Sequence, residues 1–177
     1  MCGIAGFSLF NFNEGGETSL EAMHKAIHHR GPDASGMYID EHIGLCHRRL
    51  SILDLSEAGN QPMYSKEGDL VIVFNGEIYN FLELRAELEN DGVTFKSHTD
   101  TEVILELYAR EGTKCLDKLN GMFAFALWDK NKQELFIARD RLGKKPLYYF
   151  NDNGRFAFGS EIKAILALEN IPREIRL

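Results

Sequence analysis

The segment that most restricts the fold is residues 70–74, which read LVIVF and contain no polar position. A strand whose side chains are all apolar must be covered on both faces. Residues 122–128 form a second apolar run, and a polar turn over residues 129–132 joins it to residues 134–139 in the pattern of a β-hairpin. These segments predict a sheet buried between two other layers.

Shorter apolar segments predict a second group of strands and the helices that cover both groups. The further predicted strands are residues 3–10, 36–40, 43–47, 50–53, 147–150 and 155–158. The predicted helices run from Thr18 towards Gly31, over residues 81–91, from Thr99 to Gly112 and over residues 161–168. Thr18 and Thr99 each precede a glutamate by three residues, which is capping-box spacing. We therefore expect an α+β fold in which stacked sheets lie between helical layers.

Composition disfavours several classes of function. The chain has 177 residues and 44% apolar content, enough for one domain with its own core. It has 27 acidic and 20 basic side chains, and the net charge of −7 argues against nucleic acid as a partner. The longest apolar run is too short to cross a membrane, and no signal peptide is apparent. The three cysteines indicate neither a disulfide framework nor a metal site, so we expect a cytoplasmic protein in which Cys46 and Cys115 are inert core thiols.

Cys2 is the first candidate for chemistry because of its place in the chain. Removal of Met1 would leave a thiol and a free α-amino group on one carbon. An α-amino group in a short peptide titrates at about 7.7–8.0, so near neutral pH it can serve as the base for an adjacent nucleophile. The alternative is a small apolar residue at the start of a strand, and position alone favours it because free cysteines are usually buried.

Two charged residues at the ends of apolar elements predict a site for an α-amino acid. Arg49 lies at the entry to the predicted strand 50–53, and a guanidinium forms bidentate hydrogen bonds with a carboxylate. Asp100 lies at the start of the third predicted helix, where its carboxylate could accept hydrogen bonds from an ammonium group. Each has a simpler alternative: Arg49 pairs at the surface with Asp54 or a nearby acid, and Asp100 stabilises the helix dipole.

Asn75-Gly76-Glu77 directly follows the apolar run at residues 70–74. A side-chain amide and a glycine N–H that converge on one point would form an oxyanion hole. The alternative is a sharp turn that ends the strand, since an Asn-Gly pair favours positive φ. Combined with a nucleophile and the amino-acid site, an oxyanion hole would permit attack on an amide in the side chain of a bound amino acid.

Motifs along the whole chain resemble the glutaminase domain of glutamine-hydrolysing asparagine synthetases. They are Met1-Cys2-Gly3-Ile4, His29-Arg30-Gly31-Pro32-Asp33, Arg49-Leu50-Ser51-Ile52, Asn75-Gly76-Glu77-Ile78-Tyr79-Asn80, Gly121-Met122-Phe123-Ala124-Phe125-Ala126, Arg139-Asp140-Arg141-Leu142-Gly143 and Ser160-Glu161-Ile162-Lys163-Ala164. The resemblance implies an N-terminal-nucleophile hydrolase fold of four layers, αββα, with two mainly antiparallel sheets. For the second motif, the residues themselves predict only a rigid turn.

The resemblance also implies a role for each candidate residue. The glutamine-binding residues would be Arg49, Ile52, Asn75, Gly76, Glu77 and Asp100. Cys2 would be the nucleophile and its own amine the base, and Asn75 and Gly76 would stabilise the oxyanion. Arg49 would hold the carboxylate of glutamine and Asp100 its ammonium group, while backbone at the remaining two positions would complete the pocket.

Partners and cofactors follow from the same resemblance. We expect residues 1–177 to form a single glutaminase domain, part of a longer two-domain enzyme whose C-terminal synthetase domain uses ATP and Mg²⁺. The domain itself would need L-glutamine but no cofactor and no metal, with neither nucleic acid nor a membrane as partner. The resemblance leaves homodimerisation open.

Two other functions stay open from the sequence. One is the amide-transfer domain of another ammonia-using enzyme, such as one that makes amino sugars or purines. The residues of the second and fourth motifs favour asparagine synthetases instead. The other is a non-catalytic module that binds an amino acid or a partner domain. The presence of Cys2 together with Arg49, Asn75 and Asp100 argues against such a module.

Overall fold

The computed structural model describes residues 1–8, 16–51, 54–169 and 171–174. Within these ranges the strands are β1 (Gly3–Ser8), β2 (Ala34–Ile39), β3 (Ile43–Arg49), β4 (Met63–Tyr64), β5 (Leu70–Ile78), β6 (Gly121–Asp129), β7 (Glu134–Arg139), β8 (Tyr148–Asp152) and β9 (Arg155–Gly159). The α-helices are α1 (Gly16–Ala26), α2 (Phe81–Asn90), α3 (Asp100–Glu111) and α4 (Ile162–Ile165). Short 3₁₀ turns cover His28–Arg30, Glu57–Gly59 and Gly112–Asp117.

The strands form two antiparallel sheets. Sheet I has the order β2-β3-β1-β9-β8, and sheet II has the order β4-β5-β6-β7. In sheet I, β1 has a partner on each side, β3 and β9. In sheet II, β5 pairs with β6 along all 9 of its residues, whereas β4 is only 2 residues long. Among the described residues, one edge of β5 therefore has no neighbouring strand beyond Ile72.

Three apolar clusters hold the layers together. One lies between the two sheets, a second packs α1 and α4 on sheet I, and a third packs α2 and α3 on sheet II. Residues 70–74 serve two of these clusters because successive side chains of a strand point to opposite faces. Val71 and Val73 lie in the cluster between the sheets, and Ile72 and Phe74 lie in the cluster under the helices. The four-layer αββα arrangement implied by the resemblance is confirmed.

The strand that carries Asn75 and Gly76 differs from the sequence-based expectation. The predicted turn at this pair is wrong, because β5 continues to Ile78 and Asn75 pairs with Ala124 of β6. Neither residue has positive φ. The hydrogen-bonded ladder with β6 outweighs the local turn preference of an Asn-Gly pair.

Two other local predictions are corrected. The helix predicted to begin at Thr18 begins at Gly16, so Thr18 lies inside α1 and does not cap it; Glu17 occupies the first turn, where an acidic side chain is favourable. The strand predicted over residues 50–53 is wrong for Leu50 and Ser51, which follow the end of β3, and the other two residues lie outside the described ranges. The cap at Thr99 is confirmed, since its hydroxyl accepts the Glu102 N–H at 3.3 Å.

Candidate active site

Cys2 lies immediately before β1 and is partly buried. Its sulfur is 3.4 Å from the Leu50 N and 3.5 Å from the Leu50 carbonyl oxygen. Leu50 thus offers an acceptor to a thiol and a donor to a thiolate. The pairing of β1 with β3, in which Gly3 faces Arg48, places Cys2 beside the end of β3.

Arg30 fixes the backbone of Cys2, a contact that the sequence did not predict. Its Nε donates to the Cys2 carbonyl at 2.9 Å, and its Nη1 donates to Glu161 at 3.0 Å. Burial raises the pKa of Glu161, but hydrogen bonds from Arg30, Lys163 and His29 outweigh burial and lower it to about 2. The motif for which only a turn was predicted therefore anchors the segment that carries the candidate nucleophile.

Arg49 ends β3, and its guanidinium is held by a loop instead of by an acid. Nη1 donates to the Ser56 carbonyl at 2.8 Å and to the Asn60 side chain at 2.9 Å, and Nη2 donates to the Asp54 carbonyl. Gly59 permits this close approach, since a Cβ there would collide with Nη2. The surface ion pair that was the alternative for Arg49 is not formed in the described part of the chain. A buried guanidinium with neutral acceptors is suited to a ligand carboxylate.

The Asp54 carboxylate bonds backbone N–H groups and not the Arg49 guanidinium. It accepts the Ser56 N–H at 2.8 Å and the His98 N–H at 3.3 Å. These bonds close the loop that carries the acceptors of Arg49 and join it to the segment before α3.

The uncovered edge of β5 presents alternate backbone N–H groups to the site. The Phe74 N–H donates to the Gln61 side chain at 2.6 Å, and the Ile78 N–H donates to Asp100 at 2.9 Å. Gly76 lies midway between them, and because backbone direction alternates along an antiparallel strand, its N–H faces the same edge. The β6 residue opposite Gly76 is Phe123, which bonds Asp140 on its far side.

Asn75 and Gly76 have the features of an oxyanion hole. The Asn75 side chain is buried, and its Nδ2 has no hydrogen-bond partner among the described residues. A buried donor without a partner is unfavourable in the free protein, so it is suited to a group that arrives with the ligand. Gly76 cannot carry a side chain, because a Cβ would collide with the Met122 carbonyl and lie 2.7 Å from the Phe123 Cα.

Asp100 is the first residue of α3 and is buried. Burial raises its pKa to about 6; backbone N–H groups of Ile78, Asp100 and Thr101 oppose this rise, and the nearby charge of Glu77 adds to it. None of the described ion pairs gives this carboxylate a cation, and an ammonium group would stabilise its charged form. The helix-start alternative also holds, since Asp100 lies in the first turn of α3.

One cleft joins most of the predicted residues. Its volume is about 440 Å³ including the part open to solvent, and the predicted residues that line it are Cys2, Arg49, Gly76, Glu77 and Asp100. Asn75 lies between two lining residues without lining the cleft itself. Ile52 lies outside the described ranges. The cleft therefore brings a thiol, a guanidinium, a carboxylate and an unpaired strand edge together.

Sequence analysis did not identify two residues that hold β5. Gln61 lines the cleft, and His47 is a fully buried residue of β3 whose Nε2 donates to the Phe74 carbonyl at 3.1 Å. Burial lowers the pKa of His47 to about 3, so the side chain is neutral with its proton on Nε2. Both residues act through contacts distant in sequence, so no local pattern could have revealed them.

Comparison with known proteins gives the family. A family model described as a glutamine amidotransferase domain matches residues 1–176. The chain belongs to this family. In fold it is similar to the glutamine phosphoribosylpyrophosphate amidotransferase of Bacillus subtilis, with a TM-score of 0.80, 21% identity, and coverage of 94% of this chain and 43% of that one.

Two sequence relatives are named as glutamine-hydrolysing asparagine synthetases. Asparagine synthetase [glutamine-hydrolyzing] 1 of Bacillus subtilis is 45% identical over 96% of this chain, and asparagine synthetase B [glutamine-hydrolyzing] of Escherichia coli is 46% identical over 80% of it. The chain spans 27% and 26% of the length of these relatives.

No group of three or more His, Cys, Asp or Glu side chains in residues 1–8, 16–51, 54–169 and 171–174 is arranged to hold a metal ion. No helix within those ranges is long and apolar enough to span a membrane.

Proposed function

We propose that this domain hydrolyses L-glutamine to glutamate and ammonia with Cys2 as the nucleophile. The observation that supports the proposal is the convergence of Cys2, Arg49, Asp100 and the Gly76 edge of β5 on one cleft. Glutamine carries a carboxylate for the guanidinium, an ammonium group for the carboxylate and a carboxamide for the sulfur. Backbone at Glu77 would complete the pocket.

The reaction would proceed through a γ-glutamyl thioester. With Met1 removed, the α-amino group of Cys2 accepts the thiol proton, and the sulfur attacks the carboxamide carbon. The carbonyl electron pair moves onto oxygen, which accepts hydrogen bonds from Asn75 Nδ2 and the Gly76 N–H. The C–N bond breaks, and the nitrogen takes the proton from the ammonium group and leaves as ammonia. Water then gives a proton to the same amine and attacks the thioester, and glutamate is released as the sulfur leaves.

Mass spectrometry tests the nucleophile directly. After treatment with a glutamine-mimicking alkylator, we expect modification of Cys2 on molecules from which Met1 is absent. Cys46 and Cys115 are internal controls, because burial raises the pKa of their thiols to about 12 and about 11. Labelling of a buried thiol in place of Cys2, or equal labelling of molecules that retain Met1, would contradict the proposal.

We also propose that the ammonia is consumed by an ATP-dependent synthetase domain that makes asparagine in the cytoplasm, and that ATP and Mg²⁺ belong to that domain and not to this one. The names of the relatives and the fraction of their length that the chain spans support this extension. In a protein that carries both domains, ¹⁵N from the glutamine amide should appear in asparagine. Label found only in free ammonia would contradict the extension while leaving the glutaminase proposal intact.

A further inference from the structure

We infer that Gln61 is a positioning residue that sets the distance between the oxyanion edge of β5 and the amino-acid-binding end of α3. The inference rests on the proposed glutaminase function, because it concerns two groups that would bind the two ends of one glutamine. Gln61 belongs to neither group: it would act on both through its neighbours.

The side chain of Gln61 spans the gap between the strand and the helix. Its Oε1 accepts the Phe74 N–H at 2.6 Å, and its Nε2 donates to the Thr101 hydroxyl at 3.3 Å. Only 8% of Gln61 is exposed, so water competes weakly for either bond. Phe74 precedes Asn75 in the chain and Thr101 follows Asp100, so each bond is one residue away from a group that would contact the substrate.

Gln61 takes the place of a longer neighbouring strand. The pairing of β4 with β5 ends where Met63 is opposite Ile72. The next N–H of β5 on that edge belongs to Phe74, and β4 supplies no backbone partner for it. The Gln61 amide bonds its N–H, and the His47 imidazole bonds its carbonyl. A longer β4 would continue to the next alternate position and use the N–H of Gly76. Holding Phe74 with side chains stabilises the strand and leaves Gly76 open.

The backbone of Gln61 is fixed on sheet I. A Cβ at Gly36 of β2 would collide with the Gln61 carbonyl and lie 2.9 Å from the Cδ of Pro62. Gly36 therefore permits the loop to pack directly on β2. Gln61 thus connects sheet I, sheet II and α3. This connection would keep the distance between the oxyanion edge of β5 and the amino-acid-binding end of α3 constant.

Two ligands measure this distance separately from stability. L-Norvaline has the amino-acid end and aliphatic chain of glutamine without the γ-carbonyl, whereas the γ-aldehyde of L-glutamate also forms a hemithioacetal with Cys2 and engages the oxyanion edge. In Gln61→Leu we expect the aldehyde to bind about 10- to 100-fold more weakly, because a displacement of a reacting group by about 1 Å can lower a rate about 100-fold. Norvaline should bind less than about threefold more weakly, because it does not reach the oxyanion edge. Iodoacetamide should alkylate Cys2 at an unchanged rate.

Amide exchange gives a readout that does not depend on activity. In Gln61→Leu the Phe74 amide should exchange at least about tenfold faster, because it loses its acceptor, while the Ile72 amide should keep its rate. Gln61→Glu retains the acceptor and lets the Thr101 hydroxyl donate, so it should restore slow exchange at Phe74. Thr101→Val should weaken aldehyde binding, and Thr101→Ser should not. Gln133→Leu makes the same chemical change at an exposed site and should leave ligand binding and Phe74 exchange unchanged.

The outcomes separate the inference from the proposed function. A wild-type protein that binds neither ligand would contradict the glutaminase function. If, in addition, the Phe74 amide of Gln61→Leu exchanged at the wild-type rate, the role of Gln61 would be overturned as well. If the wild type binds both ligands, equal weakening of both in Gln61→Leu would overturn the inference alone. Unequal weakening with fast Phe74 exchange, reversed in Gln61→Glu, would establish it.

Discussion

The two sheets contribute to the cleft in opposite ways. In sheet I, β1 is paired on both sides, and the candidate residues Cys2 and Arg49 lie at the ends of adjacent strands. In sheet II, the candidate residues Asn75 and Gly76 lie within a strand whose outer edge is uncovered in the described part of the chain. Complete pairing holds a reacting atom in place, whereas incomplete pairing makes backbone donors available.

The uncovered edge of β5 is supported by side chains from other layers. His47 comes from sheet I, Gln61 from a loop, and Asp100 from the start of α3. Buried backbone groups without partners are costly, so these three side chains replace the hydrogen bonds that a strand would supply. The part of the cleft in sheet II therefore depends on these polar side chains, whereas strand pairing in sheet I places Cys2 beside the end of β3.

The largest effect should come from removing the candidate nucleophile of sheet I. Cys2→Ala should lower the rate of glutamine hydrolysis by about 10⁴-fold or more, since loss of a nucleophile removes the covalent route. The matched control is Cys46→Ala on the same sheet, which should lower the free energy of unfolding by about 1–2 kcal/mol and retain activity. An unchanged glutaminase rate in Cys2→Ala would refute the assignment.

The next effect should come from the edge of sheet II. Asn75→Ala should lower kcat by about 10²–10³-fold, equivalent to about 3–4 kcal/mol of transition-state stabilisation. Loss of Nδ2 itself should not lower the free energy of unfolding, because Nδ2 has no partner to lose in the described structure. Asn131→Ala at an exposed turn is the control. A variant that loses stability but keeps kcat would show that Asn75 has a packing role.

Asp100→Asn should separate stability from binding. It should lower kcat/KM by about 30- to 150-fold, since a buried charge partner of the substrate is worth about 2–3 kcal/mol. The pKa of Asp100 is raised by burial to about 6, so the proton is bound more tightly in the folded state than in the unfolded one. The stabilisation from that proton is complete below about pH 4 and is lost as the pH rises through about 6.

The stability of Asp100→Asn therefore depends on pH in a defined direction. At pH 8 the variant should unfold with a free energy about 2–3 kcal/mol larger than that of the wild type, and near pH 4 the two should be equal. Denaturant titrations at the two pH values measure this difference. A variant less stable at pH 8 would show that the backbone N–H groups bonded to the ionised carboxylate outweigh the cost of its burial.

The smallest effect should come from the guanidinium of sheet I. Arg49→Lys should raise KM for glutamine about tenfold with little change in kcat, because an ammonium group cannot form the bidentate pair with a carboxylate. Arg48→Lys is the matched control on the neighbouring position of β3. An unchanged KM in Arg49→Lys would exclude a role for Arg49 in binding the substrate carboxylate.

Short-range interactions explain what was predictable. The apolar runs of β5 and β6 are visible because a two-sided buried strand must be apolar, and the Thr99 cap is visible because its bond to Glu102 spans three residues. Stacked sheets between helical layers were predicted from the strand and helix pattern, and the resemblance added the hydrolase fold, because periodicity shows that strands exist but not which strands pair. The same limit explains the error at Asn75-Gly76, where a local turn preference was outweighed by pairing with β6.

By itself, the sequence determined most of the segments that are strands and helices and the positions of the reactive side chains along them, because apolar periodicity and capping are local. Only the tertiary structure decided that Arg30 holds the backbone of Cys2 from 28 residues away, that a loop carbonyl accepts a hydrogen bond from Arg49, and that Gln61 bonds Thr101 from 40 residues away. Those contacts are single hydrogen bonds between distant segments, and a single hydrogen bond imposes no repeating pattern on the residues around it.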